Sequence, residues 1–323
     1  MPHFILIGLA AGLASAVLFA SATAGSPAGR LLLFFLAPLP GFLAGLGWGS
    51  AAATISAVAA AVGCGVLLGA KSGLVVLLSQ GIPVALLCYL AQLSRTRSVD
   101  GGTEPPPAEW YPVGRMVAMA ALMAGFLAFL TMLLLGRDLD GLRALLRDLI
   151  EKVFLQQLPG LKERNLGEAE IAALTEVTLY AFPATTAISW LGSLLLNFYL
   201  AGRITLASGR LPRPWPDLAA ITFPRALGFG LAAAFAVLTF VSGYPALLAS
   251  GFGGAFLFAY LLMGLAIVHY VTRGAAARPF ILWAVYLSLL VLNTWAGLAL
   301  ALLGALEPIL PWRRWKAQGN APD

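Results

Sequence analysis

Hydrophobic and polar positions are segregated into long blocks along this chain. No Asp, Glu, Lys or Arg occurs within the stretches 4–29, 31–70, 72–94, 116–136, 177–202, 226–272 and 279–306. A helix needs about 20 apolar residues to cross the hydrocarbon of a bilayer. The stretches 31–70 and 226–272 therefore each fit two crossings, and the others each fit one. The pattern predicts an all-α, polytopic transmembrane helix bundle of about nine spans.

The nine expected spans follow these blocks, with breaks where the residue types require them. Pro38 and Pro40 lack amide donors and predict a break in the second span, and Pro83 predicts a kink in the fourth. Eight spans remain an alternative, in which one helix runs from Gly45 to Gly65 and residues 31–40 only dip into the membrane. The expected spans are Phe4–Thr23, Leu31 to a turn near Trp48–Ser50, the remainder of 31–70, Gly73–Leu93, Met116–Leu135, Thr178–Leu200, Ala226–Ser242, Leu248–Val271 and Phe280–Leu303.

The first span is expected to stay uncleaved, because no Lys or Arg precedes it as in a secretory signal. We expect the links after spans four, six and eight to face the cytoplasm, where they would place basic residues. The predicted segments are a four-span unit at 1–93, a polar Pro-rich link at 94–115, a fifth span at 116–136, an amphipathic section at 137–176, a four-span unit at 177–306, and a basic and aromatic tail at 307–323.

The section from 137 to 176 carries apolar residues at helical spacing from Leu139 to Phe154. Arg143, Arg147 and other charged residues take the opposite face. This pattern predicts one amphipathic interfacial helix, ended by Pro159 and Gly160, that lies on the membrane surface or caps the bundle. Docking of a partner protein is the alternative role for it.

Small residues recur every four positions in two places, which lets helix backbones approach closely in lipid. The predicted role is helix packing inside the bundle, with docking of a partner subunit as the alternative. The candidates are Gly8, Gly12 and Ala16 in the first span, and Gly45, Gly49, Ala53 and Ala57 in the second and third.

Composition narrows the partners and the chemistry. Only 11% of residues are charged, against about 25% in soluble domains, and 60% belong to AVILMFWYC. The formal net charge of +6 is scattered over short links, so we expect contacts with the lipid bilayer and its anionic lipids and none with nucleic acid. Cys64 and Cys88 both lie in apolar blocks, where they predict neither a disulfide framework nor a metal set.

Catalytic signatures are scarce. The stretch from Gly65 to Ser72 lacks the glycine before Lys71 that a phosphate loop requires. His3 and His269 are the only histidines, too few for a multi-histidine metal cluster, and no acidic residue lies inside an expected span. We therefore expect no enzyme, no catalytic residues, no metal and no cofactor.

Uncharged polar residues are what remains inside the spans. Thr186, Ser189, Ser193 and Asn197 share one face of the sixth span, which predicts contact with protein or with a cavity. Hydrogen bonding between helices and the lining of a ligand site are both consistent with such a stripe. Gln80, before the Pro83 kink, and Asn293 are further candidate ligand-lining residues.

Three groups of residues carry a resemblance to a known family. They are Pro38-Leu39-Pro40 with Gly45, Gly47 and Gly49; Met263 to Tyr270; and Leu303 to Glu307 followed by Arg313 and Arg314. On these the chain resembles the YybS-like family of multi-pass membrane proteins, which is distantly similar to the substrate-binding subunits of energy-coupling-factor transporters. The resemblance implies a bacterial-type plasma (inner) membrane, a membrane partner subunit or ATPase complex, and the face of Gly8, Gly12 and Ala16 as a docking surface.

The expected function is that of a non-enzymatic, transport-related subunit that binds a small molecule. An envelope scaffold or assembly factor acting through helix contacts is the alternative. A lipid-modifying enzyme that uses Arg203 or Arg225 on headgroups has the least support.

Overall fold

A computed structural model describes residues 2–22, 26–95, 108–136, 138–154 and 167–318. The described chain is almost entirely helical, and its one two-stranded ladder pairs Ser94–Arg95 (β1) antiparallel with Glu109–Trp110 (β2). The all-α prediction is confirmed. The helices are α1 His3–Ser21, α2 Pro27–Leu36, α3 Leu39–Trp48, α4 Ser50–Leu68, α5 Ala70–Val76, α6 Ile82–Gln92, α7 Val113–Leu135, α8 Leu139–Leu149, α9 Glu168–Ala207, α10 Arg225–Phe240, α11 Tyr244–Val271, α12 Arg278–Val291, α13 Thr294–Leu306 and α14 Trp312–Gln318.

Seven helical stretches of the described chain are long and apolar enough to cross a membrane. They are His3–Ser21, Pro27–Trp48, Ser50–Leu68, Ala70–Gln92, Val113–Leu135, Glu168–Ala207 and Tyr244–Val271. They match spans one to six and span eight of the prediction. The expected seventh span corresponds to α10, which has 16 residues.

The ninth span was predicted as one helix from Phe280 to Leu303, and this is wrong. Asn293 has a φ of 38°, the only positive φ at a non-glycine residue in the described chain, and it separates α12 from α13. A left-handed residue cannot continue a right-handed helix. The result is two helices of 14 and 13 residues in place of one span.

The turn near Trp48 is confirmed, and the single helix from Gly45 to Gly65 on which the eight-span alternative depended is wrong. Helix α3 ends at Trp48, Gly49 has a φ of 103°, and α4 begins at Ser50, so no single helix joins Gly45 to Gly65. Only glycine adopts such a φ at no steric cost. The side chain of Gln92 stabilises the turn, because its Nε2 donates to Gly45 O at 2.6 Å and its Oε1 accepts from Ser50 N at 3.0 Å.

The chain forms two compact units. The first comprises Met1–Ala120 and Leu191–Leu218, and the second comprises Ala121–Trp190 and Ala219–Asp323. Each unit is discontinuous in sequence, because α7 and α9 supply residues to both. Helix α9 has 40 residues and is about 60 Å long, so the expected span Thr178–Leu200 is only its middle part.

Helix α8 confirms the amphipathic pattern and packs within the second unit. Leu142 and Leu146 are buried in a cluster with Met132, Leu179 and Leu247. Asp138 caps the helix by accepting a hydrogen bond from Gly141 N at 2.7 Å. The polar face carries ion pairs, which join Arg143 to Asp140 and Glu176, Arg147 to Glu151 and Glu168, and Lys152 to Asp148. The predicted end at Pro159 and Gly160 lies outside the described residues.

Candidate functional site

Two spans of the first unit are interrupted near their middles. The second span breaks between α2 and α3 at Ala37 and Pro38, as predicted. The fourth span passes from α5 to α6 through a π-helical turn at Leu77–Gly81, directly before Pro83. Proline removes a backbone donor and clashes with the preceding turn, which accounts for both interruptions.

The two interruptions lie at the same level. Helices α3 and α6 run parallel, with Gly41 packed on Val84 and Gly45 packed on Cys88. The same sequence offset places Ala37 level with Gln80, a buried residue of the π-helical turn. The first unit therefore contains one layer in which two neighbouring spans have irregular backbone.

The break exposes the carbonyl of Phe35, and α9 supplies its hydrogen bonds. Across the break, Ala37 N donates to Phe34 O at 3.4 Å, and Pro38 has no N–H that could donate to Phe35 O. Ser193 Oγ donates to Phe35 O at 2.9 Å, and Asn197 Nδ2 donates to it at 2.6 Å. Two of the four residues of the predicted stripe, Ser193 and Asn197, therefore donate hydrogen bonds to the backbone of a broken helix. Polar side chains commonly satisfy freed backbone groups of neighbouring helices in this way in membranes.

The Asn197 side chain has one group left over. Its Nδ2 also donates to Ser193 O at 2.7 Å, but its Oδ1 has no hydrogen-bond partner among the described residues. Asn197 is 0% exposed. A buried amide oxygen without a donor costs about 1–3 kcal/mol and keeps its capacity to accept a hydrogen bond.

The other candidate ligand-lining residues lie elsewhere. Thr186 is half-buried and Ser189 is exposed, and both belong to the part of α9 that enters the second unit. Asn293 is exposed at the break between α12 and α13. The structure therefore brings Ser193 and Asn197 together at the break in the second span, and Gln80 lies at the same level. Thr186, Ser189 and Asn293 lie apart from this break.

The small residues of the first span are covered by α4. A Cβ added at Gly8 would lie 2.8 Å from Ala52 O, and one at Gly12 would lie 2.5 Å from Ser56 O. Ala16 is 1% exposed, so α4 occupies the face that the family resemblance implied as a docking surface.

Three of the four candidates in the second and third spans are packed. Gly45 contacts Ala53 and Cys88, Ala53 is 0% exposed, and Ala57 packs on Gly81. Gly49 differs, because it forms the turn between α3 and α4 and an added Cβ there would meet nothing within 4 Å.

An open groove between α1 and α4 has a volume of about 740 Å³. Leu9, Leu13, Val58, Val62 and Val66 contribute to its lining, which is almost entirely apolar. Apolar side chains facing outward are the ordinary surface of a helix in lipid. The polar residue in the lining, Thr54, donates its hydroxyl to Ser50 O of its own helix, so the groove offers little for polar recognition.

Two arginines that the sequence analysis did not assign to a site, Arg313 and Arg213, are built into the structure. Arg313 and Glu307 form a buried ion pair in the second unit, with Arg313 Nε 2.9 Å from Glu307 Oε1. Arg213, in the first unit, donates to Ala91 O and Tyr111 O at 3.5 and 3.4 Å. Burial lowers the pKa of Arg213. The one sequence signal for these residues was their position beside tryptophans at the ends of expected spans.

The polar groups at the interrupted layer are neutral. The blocks 31–70, 72–94 and 177–202, which contain Phe35, Gln80, Ser193 and Asn197, hold no charged residue. Within the described ranges, no three His, Cys, Asp or Glu side chains form a set that could hold a metal ion. The layer can donate and accept hydrogen bonds.

Comparison with known proteins identifies a family over nearly the whole chain. Residues 13–306 match a family described as "Predicted membrane protein (DUF2232)". No curated protein and no solved structure matches the chain.

Proposed function

Because the chain belongs to this family of membrane proteins, we propose that it is a non-enzymatic, transport-related subunit whose first unit binds a small polar molecule. The observation that carries the proposal is the Oδ1 atom of Asn197, which is fully buried and unpartnered beside a broken span. The energy for transport would come from a separate protein.

Interrupted spans support this proposal. Irregular backbone at membrane depth is tolerated where it is buried in protein or lines a cavity, and transporters build substrate sites from such discontinuous helices near the bilayer midplane. Here the two interruptions lie at one level, and the side chains of Gln80 and Asn197 supply neutral amides there.

The charge pattern restricts the ligand. No charged side chain of the blocks around this layer is available to neutralise a buried ion. An unpaired charge at that depth would be costly. The part of the ligand that reaches Asn197 is therefore an uncharged donor, such as a hydroxyl or an amide N–H.

The resemblance to energy-coupling-factor substrate-binding subunits agrees with this proposal and adds a partner. Those subunits bind substrate while a separate ATPase complex supplies energy. The same arrangement is proposed for this chain, in a bacterial-type inner membrane.

Ligand-induced stabilisation tests the proposal directly. The purified protein in detergent is screened against neutral polar metabolites, and a true ligand raises the thermal midpoint in proportion to its occupancy. Asn197→Leu should abolish this rise, because it removes the free oxygen. Ser193→Ala is the matched control, because it removes one bond to Phe35 O and leaves Asn197 Oδ1 in place.

A broad screen without any stabilising compound, together with unchanged growth and folding of Asn197→Leu, would refute the proposal. Affinity capture from membranes separates it from the scaffold alternative. Recovery of an ATPase favours transport, whereas recovery of an envelope-assembly complex favours the scaffold.

A further inference from the structure

Three arginines and three tryptophans are gathered at one end of the first unit. The guanidinium carbon of Arg203 lies 5.1 Å from the Trp215 ring centroid, that of Arg210 lies 4.6 Å from Trp48, and that of Arg213 lies 5.8 Å from Trp110. We call these six residues the Arg–Trp cluster. Trp48 is the last residue of α3, and Trp110 is the last residue of β2. Arg203 lies near the end of α9, and Arg210, Arg213 and Trp215 follow that helix.

The packing of the first unit joins the parts of this cluster. Gly47 in α3 packs on Arg210, and Gly202 in α9 packs on Trp215. Arg213 reaches Ala91 at the end of α6, and the neighbouring Gln92 bonds Gly45. The cluster is thus fixed to the ends of three helices and does not depend on a free loop.

Stacking leaves the hydrogen-bond donors of these arginines unused. A guanidinium over a ring uses its face, while its five N–H groups lie at its edge. In the described chain, the guanidinium groups of Arg203 and Arg210 donate no hydrogen bond, and both residues are exposed. The ion pairs among the described residues join other arginines and lysines, and none of them includes Arg203, Arg210 or Arg213.

Arg213 is incompletely hydrogen-bonded. Its Nε atom is buried and has no hydrogen-bond partner among the described residues, and the two hydrogen bonds that its Nη atoms donate to carbonyl oxygens are long. Burial of an unpaired guanidinium disfavours its charge and lowers its pKa. A bound anion would restore the missing interaction.

We propose that Arg203, Arg210 and Arg213 form a binding site for an anionic phosphate group, carried by a lipid headgroup or by free phosphate. Guanidinium edges match phosphate oxygens in bidentate geometry, which favours phosphate over a halide. Tryptophan rings prefer the level of the lipid headgroups, so the cluster has the composition of an interfacial site. This inference is independent of the small-molecule site at Asn197.

Binding by the purified full-length protein in neutral detergent tests the site. The probes are dioctanoyl phosphatidylglycerol, dioctanoyl phosphatidylcholine and inorganic phosphate, each titrated while tryptophan fluorescence and the thermal midpoint are recorded. An anionic phosphate should raise the midpoint in a saturable manner that added NaCl weakens. The zwitterionic phosphatidylcholine should have a much smaller effect.

Variants that remove arginine charges at two places locate the binding. Arg203→Gln with Arg210→Gln should weaken the affinity about tenfold or more, since each removes charge-assisted hydrogen bonds. Arg314→Gln, an exposed arginine of the second unit, removes one charge elsewhere and should leave the affinity unchanged. Asn197→Leu should also retain the response, so failure of the two proposals can be told apart.

The source of the phosphate follows from the probes. A response to phosphatidylglycerol alone assigns the site to a lipid headgroup, and an equal response to inorganic phosphate assigns it to a free anion. Equal stabilisation of the wild-type protein by phosphatidylglycerol and phosphatidylcholine, without an effect of phosphate, would overturn the inference. Binding of phosphatidylglycerol or phosphate by the double variant with wild-type affinity would also overturn it. If the double variant fails to fold, the comparison of the two lipids in the wild-type protein still tests the inference.

Discussion

At the scale of single residues, the second unit contains a buried ion pair between Glu307 and Arg313. The two side chains are only 9% and 10% exposed. Arg313 Nη1 also donates to Ala219 O at 3.3 Å and to Ile221 O at 2.8 Å. The pair therefore attaches the end of the described chain to backbone that lies about ninety positions earlier. Both charges lose their hydration, so each depends on the other.

Removing one partner of this pair should be far worse than removing both. We expect Arg313→Met to lower the free energy of unfolding by about 3–5 kcal/mol, because it leaves a buried carboxylate uncompensated. Combining it with Glu307→Leu should restore much of the loss. Denaturant unfolding in detergent measures each variant, and Arg314→Met, at an exposed position, is the control. Losses that simply add in the double variant would contradict this coupling.

The sequence could not reveal this ion pair. Arg313 lies between Trp312 and Arg314 and has the composition of an interfacial anchor, which the neighbouring Arg314 and Trp315 still fit, since both are exposed. Burial of Arg313 depends on the carbonyl groups of Ala219 and Ile221, and no local pattern reports such a long-range contact. Asn197 was identified because it shares one helical face with Thr186, Ser189 and Ser193, but its partner, Phe35 O, is a backbone atom that no side-chain pattern reports.

At the scale of helices, close packing of backbones distinguishes the contacts within each unit. In the first unit, Gly12 of α1 lies directly against Ser56 and Ala59 of α4. In the second unit, Gly264 of α11 lies under the carbonyl of Leu300 in the antiparallel α13. Glycines at these positions let helices approach where dispersion and packing, and not the hydrophobic effect, drive association in lipid.

A methyl group at Gly12 should separate α1 from α4. In Gly12→Ala the new Cβ would lie 2.5 Å from Ala59 Cβ, so we expect a loss of about 1–3 kcal/mol. Gly47→Ala is the matched control, because its Cβ would meet Thr205 at an ordinary 3.5 Å and should gain up to about 1 kcal/mol in helix propensity. Thermal unfolding in detergent compares the two. Equal behaviour of both variants would show that the α1–α4 contact is not tight.

Helix positions could be predicted because charges are excluded from the spans, and most breaks could be predicted because glycine and proline mark them. Pro38 and Gly49 both interrupt the chain where the sequence indicated. Asn293 did not reveal its break, because one asparagine followed by threonine in an apolar run resembles a polar contact as much as a turn. Its left-handed conformation is a property of tertiary packing that residue type alone does not specify.

At the scale of the molecule, the first unit shows how its spans alternate. The turn at Gly49, the β1–β2 ladder after α6 and the residues after α9 meet through Arg210, Arg213 and Gln92. Spans two, four and six therefore end on one side of the first unit. Alternation along the chain puts Lys71, which follows α4, on the other side.

Accessibility to a membrane-impermeant maleimide tests this arrangement. In a background with Cys64→Ala and Cys88→Ala, Arg95→Cys and Ser208→Cys should be labelled from one face of the membrane and Lys71→Cys only from the other. All three positions are exposed, so lack of labelling reports the membrane and not burial within the protein. Labelling of all three from the same face would contradict the alternation of spans in the first unit.

The shortness of α10 has a consequence for the surrounding lipid. Sixteen helical residues extend about 24 Å, whereas the hydrocarbon of a typical bilayer is about 30 Å thick. Phe229 and Phe240 on this helix are 74% and 85% exposed, so acyl chains have to meet them. If α10 crosses the membrane, the bilayer around it must become thinner to relieve the hydrophobic mismatch. Membranes with shorter acyl chains would therefore accommodate this protein at a lower elastic cost.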